Sequence, residues 1–401
     1  MQQNPWRLAL GGMIALAVGI GVGRFVYTPI LPVMVDALKL TTWQAGLIAS
    51  SNYLGYLAGA LLAALSVFRG SRRSYLLGAL AVNALGLVAM GLTGDFVLQL
   101  ILRFVGGVAS AFILVFASAL VLDQLTATGR ARLSAVHFAG VGVGVAVSAA
   151  VVAALIAAGA GWQALWYVSG AMALAGFGLA ALMIAPGEPP APDLPKPAAA
   201  AAAKASSALR AMIVAYGLFG FGYVITATFI VAMVRAAPEI RAMEPYVWVL
   251  FGVSAAPSVA LWMRIGARIG IVEAFAVACL VEAVGVASSI LWVSTAGVII
   301  AVVFLGGTIV SITALGLIVA RRLSSGDPRP NLALMTASFG AGQAIGPAFA
   351  GWLFDWLGSF AVASLIASGA LVVAAGLSML AVGSADREPV AAADPEHRRA
   401  A

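Results

Sequence analysis

Two arginines and one glutamate stand in stretches too apolar to solvate a charge. Arg24 falls in Gly21-Val-Gly-Arg-Phe-Val-Tyr-Thr-Pro-Ile-Leu-Pro32, Arg103 in Arg103-Phe-Val-Gly-Gly107, and Glu282 midway along an apolar run over residues 271–291. A charge at the centre of a membrane helix costs about 2.5–3.5 kcal/mol or more, so it faces a polar cavity or a partner. In a cavity, an arginine's planar fork is a receptor for carboxylate or phosphate oxygens. On a helix, Arg24, Tyr27 and Leu31 share one face, which gives the cation an aromatic wall. The alternative is a structural arginine that caps carbonyls freed by Pro29 and Pro32. Arg103 is open to the same two readings, anion contact or helix pin. Glu282 is a candidate proton carrier, or else a buried acid bonded to a neighbouring helix. Tyr216, Tyr223, Thr226 and Thr228 set polar tips on an apolar helix, which suits an amphipathic ligand and suits packing. Asp36, Asp123 and Glu273 fall at expected helix ends and read as solvated, and His137 reads as structural.

Other spacings carry no chemistry. Gly140-Val-Gly-Val-Gly144 follows no strand and lacks the dinucleotide-binding spacing. Gly55-x-x-x-Gly59, Gly140-x-x-x-Gly144 and Gly342-x-x-x-Gly346, the last followed by Pro347, read as small-residue faces for close helix packing. They are expected where two halves of the chain slide and gate. One cysteine, Cys279, and two histidines, His137 and His397, make neither a disulfide framework nor a metal cluster. No paired acids, nucleophile–base pair or nucleotide loop accompanies them. The expectation is therefore not an enzyme, with no metal and no cofactor.

The elements that must position these residues follow from composition. Of 401 residues, 63% are hydrophobic and 9% charged, with a mean hydropathy of +1.06. This is the composition of an all-α polytopic membrane protein. Windows long enough to span about 30 Å of hydrocarbon fall at 7–37, 42–66, 74–93, 96–122, 133–158 and 164–185. Six more fall at 209–235, 245–265, 271–291, 296–320, 333–354 and 360–382. The first is too long for a signal peptide and reads as a retained helix. Two six-helix bundles are expected, residues 1–185 and 209–382. A proline- and alanine-rich cytoplasmic linker, 186–208, joins them, and a charged tail, 383–401, follows; both are expected to be disordered. With the N-terminus inside, only Lys39, Arg235 and Arg241 of the 22 basic residues face outward. That bias puts both termini and the linker in the cytoplasm. It also accounts for the net charge of +7 without a nucleic-acid partner.

Sliding the chain by about 200 residues exposes an internal repeat. Gly21-Val-Gly-Arg24 falls on Gly220-Phe-Gly-Tyr223, Gly106-Gly107 on Gly306-Gly307, and Gly140-Val-Gly142 on Gly340-Ala-Gly342. Parallel repeats of this kind mark transporters whose site lies near the midplane, between the halves.

Arg103-Phe-Val-Gly-Gly107 resembles an arginine-to-glycine motif of the major facilitator superfamily. Phe68-Arg-Gly-Ser-Arg-Arg73 resembles its loop motif between spans 2 and 3, with Phe68 near the place of the usual aspartate. Gly340-Ala-Gly-Gln-Ala-Ile-Gly-Pro347 resembles a glycine–proline packing motif. Gly23-Arg-Phe-Val-Tyr-Thr-Pro29, Gly220-Phe-Gly-Tyr223 with Thr228-Phe229, and Gly342-Gln-Ala-Ile-Gly-Pro347 are similar to the YbfB/YjiJ-type bacterial branch. The resemblance implies twelve transmembrane helices in two pseudo-symmetric bundles.

The expectation is a secondary active transporter of the bacterial inner membrane that works by alternating access. Its substrate site is expected to be lined by Arg24, Tyr27, Arg103, Tyr216, Tyr223 and Gln343, with Glu282 for proton coupling. The expected partners are a small-molecule substrate, first an organic anion, then a coupling proton and the lipid bilayer; a monomer is sufficient. Efflux of amphipathic compounds is the alternative within the class, and a non-transporting membrane sensor the alternative outside it.

Overall fold

The computed structural model describes residues 4–63, 71–185, 206–324 and 328–382, among which no strand occurs. The first span is one 34-residue segment, Pro5–Leu38, but it is not one regular helix. Helix α1 (Pro5–Leu16) opens on Asn4, whose side chain accepts the Trp6 N–H at 2.9 Å. It then widens into a π-turn over Ala17–Val22, where Gly23 N–H reaches back to the Val18 carbonyl at 2.8 Å. Only at Tyr27 does α2 (Tyr27–Leu38) begin. Pro29 and Pro32 bring no N–H to the ladder, so the break is written into the sequence where Arg24 sits. Breaks of this kind recur at functional sites.

The rest of the first half is α3 (Thr42–Ala63), α4 (Arg72–Leu92), α5 (Phe96–Ala127), α6 (Ser134–Ala157) and α7 (Trp162–Met183). The second half is α8 (Ser207–Ala236), α9 (Glu244–Ile269), α10 (Ile271–Leu291), α11 (Thr295–Arg322), α12 (Arg329–Leu357) and α13 (Ala361–Ser378). Among the described residues ten segments are long and apolar enough to cross a membrane, eleven when α9, bent by 47° near its Pro257, is taken as one. The twelfth, α12, has the length, at 29 residues, but carries Ser338, Gln343 and Asp355, which it uses against its neighbours. Several helices overrun the windows expected from hydropathy, α5 by a turn at its C-terminus, and helix starts are fixed by side-chain caps. Asp95, Ser206 and Ser294 each accept an N–H from the first turn of the helix that follows. Residues 186–205 of the expected linker, the tail from 383, and Phe68–Gly70 lie outside the described residues.

The repeat is visible as matched helix crossings. A Cβ on Gly107 would stand 2.0 Å from the Asn52 carbonyl oxygen, where α5 crosses α3; one on Gly306 would stand 2.3 Å from that of Phe251, where α11 crosses α9. Gly21 lies backbone-to-backbone on Gly144 of α6, and its repeat mate Gly220 lies on the Phe339 carbonyl of α12, the equivalent crossing of the second half. The three glycine motifs therefore close on helices of their own half. Gly55 and Gly59 face Phe104 and Val108, Gly140 and Gly144 face Met13 and Ala17, and Gly346 faces Val224. The seam between halves is lined by other glycines: Gly46 under the Pro347 carbonyl, Gly351 under that of Thr42, and Gly142 and Gly252 across α6 and α9. A spacing of four marks a close face but not which neighbour it meets.

Polar contacts across the seam gather toward the end of the bundle that holds the α2–α3 and α8–α9 connections. Asp355 of α12 accepts the N–H groups of Thr42 and Trp43 at 3.0 and 2.9 Å, capping the first turn of α3 from the opposite half. Arg235 pairs with Asp36 at 3.3 Å and with Glu244 at 2.8 Å. Thr28 Oγ1 donates to the Ala227 carbonyl at 2.9 Å. At the other end Arg7, Arg72 and Arg73 make their contacts within the first half. Arg72 pairs with Asp123 at 2.7 Å, while Arg7 and Arg73 cap carbonyls of Leu182, Ala181 and Ile184 at the C-terminus of α7. Asp36 and Asp123, read as simply solvated, are exposed and yet ion-paired.

The crossings make a stability prediction. Gly107→Ala must push α3 from α5 and should lower the unfolding midpoint in detergent, at about 1–3 kcal/mol for overpacking. Gly86→Ala, which meets nothing within 4 Å, should leave the midpoint unchanged or raise it. Equal midpoints for the two variants would contradict the crossing.

Candidate functional site

The break in the first span leaves carbonyls without their helical donors, and three side chains satisfy them. Arg103, buried on α5, donates from Nη1 to the Gly23 carbonyl at 3.2 Å and from Nη2 to the Arg24 carbonyl at 3.1 Å. Trp248 of α9 donates its indole N–H to the Phe25 carbonyl at 3.0 Å, the carbonyl that Pro29 deprives of an i+4 donor. Ser110 donates to the Gly19 carbonyl at 2.7 Å. The capping role considered for Arg24 thus falls to Arg103 and Trp248. Asn52 holds Arg103 in place by donating to its carbonyl at 2.9 Å.

Arg24 is left free to point elsewhere. It is 6% exposed, and its Nη2 donates to Gln343 Oε1 of α12 at 3.0 Å, across the seam. Gln343 in turn donates from Nε2 to the Tyr223 hydroxyl of α8. The guanidinium carbon lies 4.0 Å from the Tyr56 ring centroid, 4.6 Å from that of Tyr53 and 5.7 Å from that of Phe25. Such cation–π contacts are worth about 0.5–2 kcal/mol each, more when desolvated. Among the described residues no carboxylate pairs with Arg24, and its Nε–H has no hydrogen-bond partner. The arrangement is a cation in an aromatic cage, closed by one neutral amide, with a donor still unused.

Of the residues singled out from sequence, Arg24, Tyr223 and Gln343 therefore form one connected group. Arg103 and Tyr27 form a second, beneath it. Tyr27 lies 5.0 Å under the Arg103 guanidinium, and its hydroxyl donates to the Ala45 carbonyl at 2.8 Å. Tyr216 stands apart. Its hydroxyl donates to the Thr313 carbonyl at 3.1 Å, and its ring stacks on Phe339 at 5.0 Å. Phe219 and Phe339 carry that stack on to Tyr223. Thr228 bonds its own helix at the Val224 carbonyl. His137 is fully buried, beside the Ser118 hydroxyl at 3.1 Å.

Glu282 is fully buried on α10. One carboxyl oxygen accepts the Thr308 hydroxyl of α11 at 3.1 Å, and the other has no partner among the described residues. Its counterpart in the repeat, Asn83 of α4, donates to Ser110 of α5 at 3.2 Å. The two halves thus keep the same polar tie between equivalent helices, with an acid in place of the amide in the second.

Sequence reasoning missed Tyr53 and Tyr56, the cage walls, and Trp248. Tyr53 and Tyr56 are spaced i, i+3 beside Asn52, a spacing that puts both rings on one face of α3; that signal was available. For Trp248 there was none, because its acceptor is 223 residues away.

The family model described as "Uncharacterised MFS-type transporter YbfB" matches residues 16–379 of the chain. Among curated proteins, the chain is 34% identical over 135 residues to the uncharacterized MFS-type transporter YcaD of Escherichia fergusonii, covering 33% of this chain and 34% of that protein. It is 33% identical over the same length, with the same coverage, to an uncharacterized MFS-type transporter of Enterobacter sp. (strain 638). The alignment thus spans about a third of these curated relatives. Among solved structures, a bacterial homologue of the human lysosomal transporter Spinster, inward-facing and occupied, superposes with a TM-score of 0.72 at 15% identity, over 94% of this chain and 97% of that one. The human organic anion transporter MFSD10 superposes at 0.66 and 16% identity, over 94% and 100%. At such identities these likenesses speak for the fold, which is that of the major facilitator superfamily. The family match, running from the π-turn of the first span to the end of α13, is what places the chain: it belongs to the YbfB family of MFS-type membrane transporters.

Proposed function

We propose that this transporter carries a small organic anion by alternating access, with Arg24 as the anion's contact. The observation that carries this reading is the Arg24 cage. A buried guanidinium is held by rings and a neutral amide, and no acid neutralises it or Arg103 among the described residues. An uncompensated charge in an apolar bundle is relieved by an anion, and the Arg24 fork is shaped for a carboxylate. The site joins both halves, as alternating access requires. The human organic anion transporter of the same fold makes such a substrate compatible with the architecture. By the bias of basic residues, the termini are cytoplasmic, the membrane is the bacterial inner membrane, and the end capped by Asp355 faces outward. A monomer contains the whole proposed path. Efflux of amphipathic compounds remains the second reading, supported by the aromatic stack of Tyr216, Phe219, Phe339 and Tyr223.

Glu282 is the proposed proton carrier, on the strength of a buried carboxyl with one oxygen unpartnered. Glu282→Gln should then abolish uptake driven by a pH gradient while substrate exchange continues. Gradient-driven uptake at the parent rate would reject the assignment.

The two arginines should separate by readout. In thermal unfolding of the purified protein, a bound carboxylate should raise the midpoint by mass action. Arg24→Ala should weaken that response by at least about tenfold in apparent affinity, roughly 1.4 kcal/mol, and Arg24→Lys should retain part of it. Arg103→Lys, able to reach only one of two carbonyls, should lower the midpoint by about 2–4 °C per kcal/mol lost and leave affinity unchanged. A carboxylate response intact in Arg24→Ala would overturn the anion reading. Stabilisation by bulky amphipaths alone would favour efflux.

A further inference from the structure

A cleft of about 260 Å³ opens between the α6 face and the corner where α8 meets α9. One wall is apolar, built by Ala149, Val152, Ala153 and Ile156. The rim opposite carries the exposed Arg241 and the Arg235–Glu244 ion pair. Pro29 and Trp248 line it on the side of the first span, both buried, and Trp248 is 1% exposed. Behind Trp248 lies the Arg24 cage. The indole stacks on Phe251 with centroids 4.2 Å apart and lies 6.3 Å from the Phe25 ring, which in turn stands 5.7 Å from the Arg24 guanidinium carbon.

We propose that Trp248 is a gate in a solute path between this cleft and Arg24, and that the cleft is the vestibule of that path. The proposal rests on Arg24 as the central station. What makes Trp248 movable is its tether. It is held to the opposite half by one hydrogen bond, to the Phe25 carbonyl. No i+4 donor exists for that carbonyl because residue 29 is proline. Its own helix offers only the longer Thr28 N–H contact at 3.3 Å. When the indole withdraws with α9, the carbonyl is uncovered and becomes an acceptor that water can occupy. The plug is thus replaced by a polar lining. The positive rim at Arg241 suits the same anion that Arg24 would take.

Thiol accessibility in the full-length protein tests this without any substrate, so its outcome is separate from whether Arg24 binds an anion. In a Cys279→Ser background, Ala153→Cys reports the cleft and Tyr53→Cys the cage. A membrane-impermeant maleimide is applied to right-side-out and to inside-out vesicles. Ala153→Cys should label from one side only, whether or not Trp248 is changed. From that side, Tyr53→Cys should label about fivefold faster once Trp248→Phe removes the N–H, as for loss of one neutral hydrogen bond, and faster still in Trp248→Ala. Labelling of Tyr53→Cys that is unchanged in both Trp248 variants would overturn the gate. Failure of Ala153→Cys to label from either side would overturn the vestibule.

Discussion

A guanidinium keeps its charge in any protein environment, so two of them in an apolar bundle oblige their surroundings to replace water. The structure does this in two ways at one place. Around Arg103 the replacement is made by backbone, because the interrupted first span offers free carbonyls and the arginine's two Nη groups take them, while its Nε–H, like that of Arg24, has no partner among the described residues. Around Arg24 it is made by rings and one amide oxygen, and no acid among the described residues pairs with the charge. The same backbone break thus gives Arg103 two carbonyls and leaves the Arg24 side chain turned to Gln343 and the rings. The Gly21–Gly144 contact, the prolines at 29 and 32, and the Asn52 brace all serve to hold that break in position.

The seam between the halves is close-packed through glycines, as the halves themselves are, and adds polar ties. Glycines bring backbone against backbone in both places, Gly107 on Asn52 within a half and Gly46 on Pro347 between halves, which lets the helices approach closely. Across the seam, close approaches are joined by single polar ties: Asp355 on the α3 terminus, Arg235 on Asp36, Thr28 on Ala227, Trp248 on Phe25 and Gln343 on Arg24. Each is individually weak, the exposed ion pairs worth about 0–1 kcal/mol.

Much of this was legible in the sequence. Hydropathy places most of the helices, though not the break in the first or the polar α12, and glycines that keep an offset near 200 residues reveal the repeat, because both halves need the same crossings. Arg24 was legible as a charge at depth, and the prolines as a break beside it. Which arginine would cap the freed carbonyls was not, since the capping groups come from α5 and α9. Nor was the direction of the glycine faces, since a four-residue spacing names a face and not a neighbour. The Asp355 cap joins residues 313 apart, and periodicity carries no information at that range. Tyr53 and Tyr56 are the intermediate case, a readable i, i+3 pair whose meaning depended on Arg24 being beside it.

The central claim is that Arg24 gives up its neutral amide partner for an anion at the seam. The most direct measurement is an experimental structure of the protein with the carboxylate that most raises its unfolding midpoint. The account predicts ligand oxygens within hydrogen-bond reach of the Arg24 guanidinium, Gln343 displaced from it, and Arg103 still on the Gly23 and Arg24 carbonyls. An intact Arg24–Gln343 contact with the carboxylate bound elsewhere would contradict it.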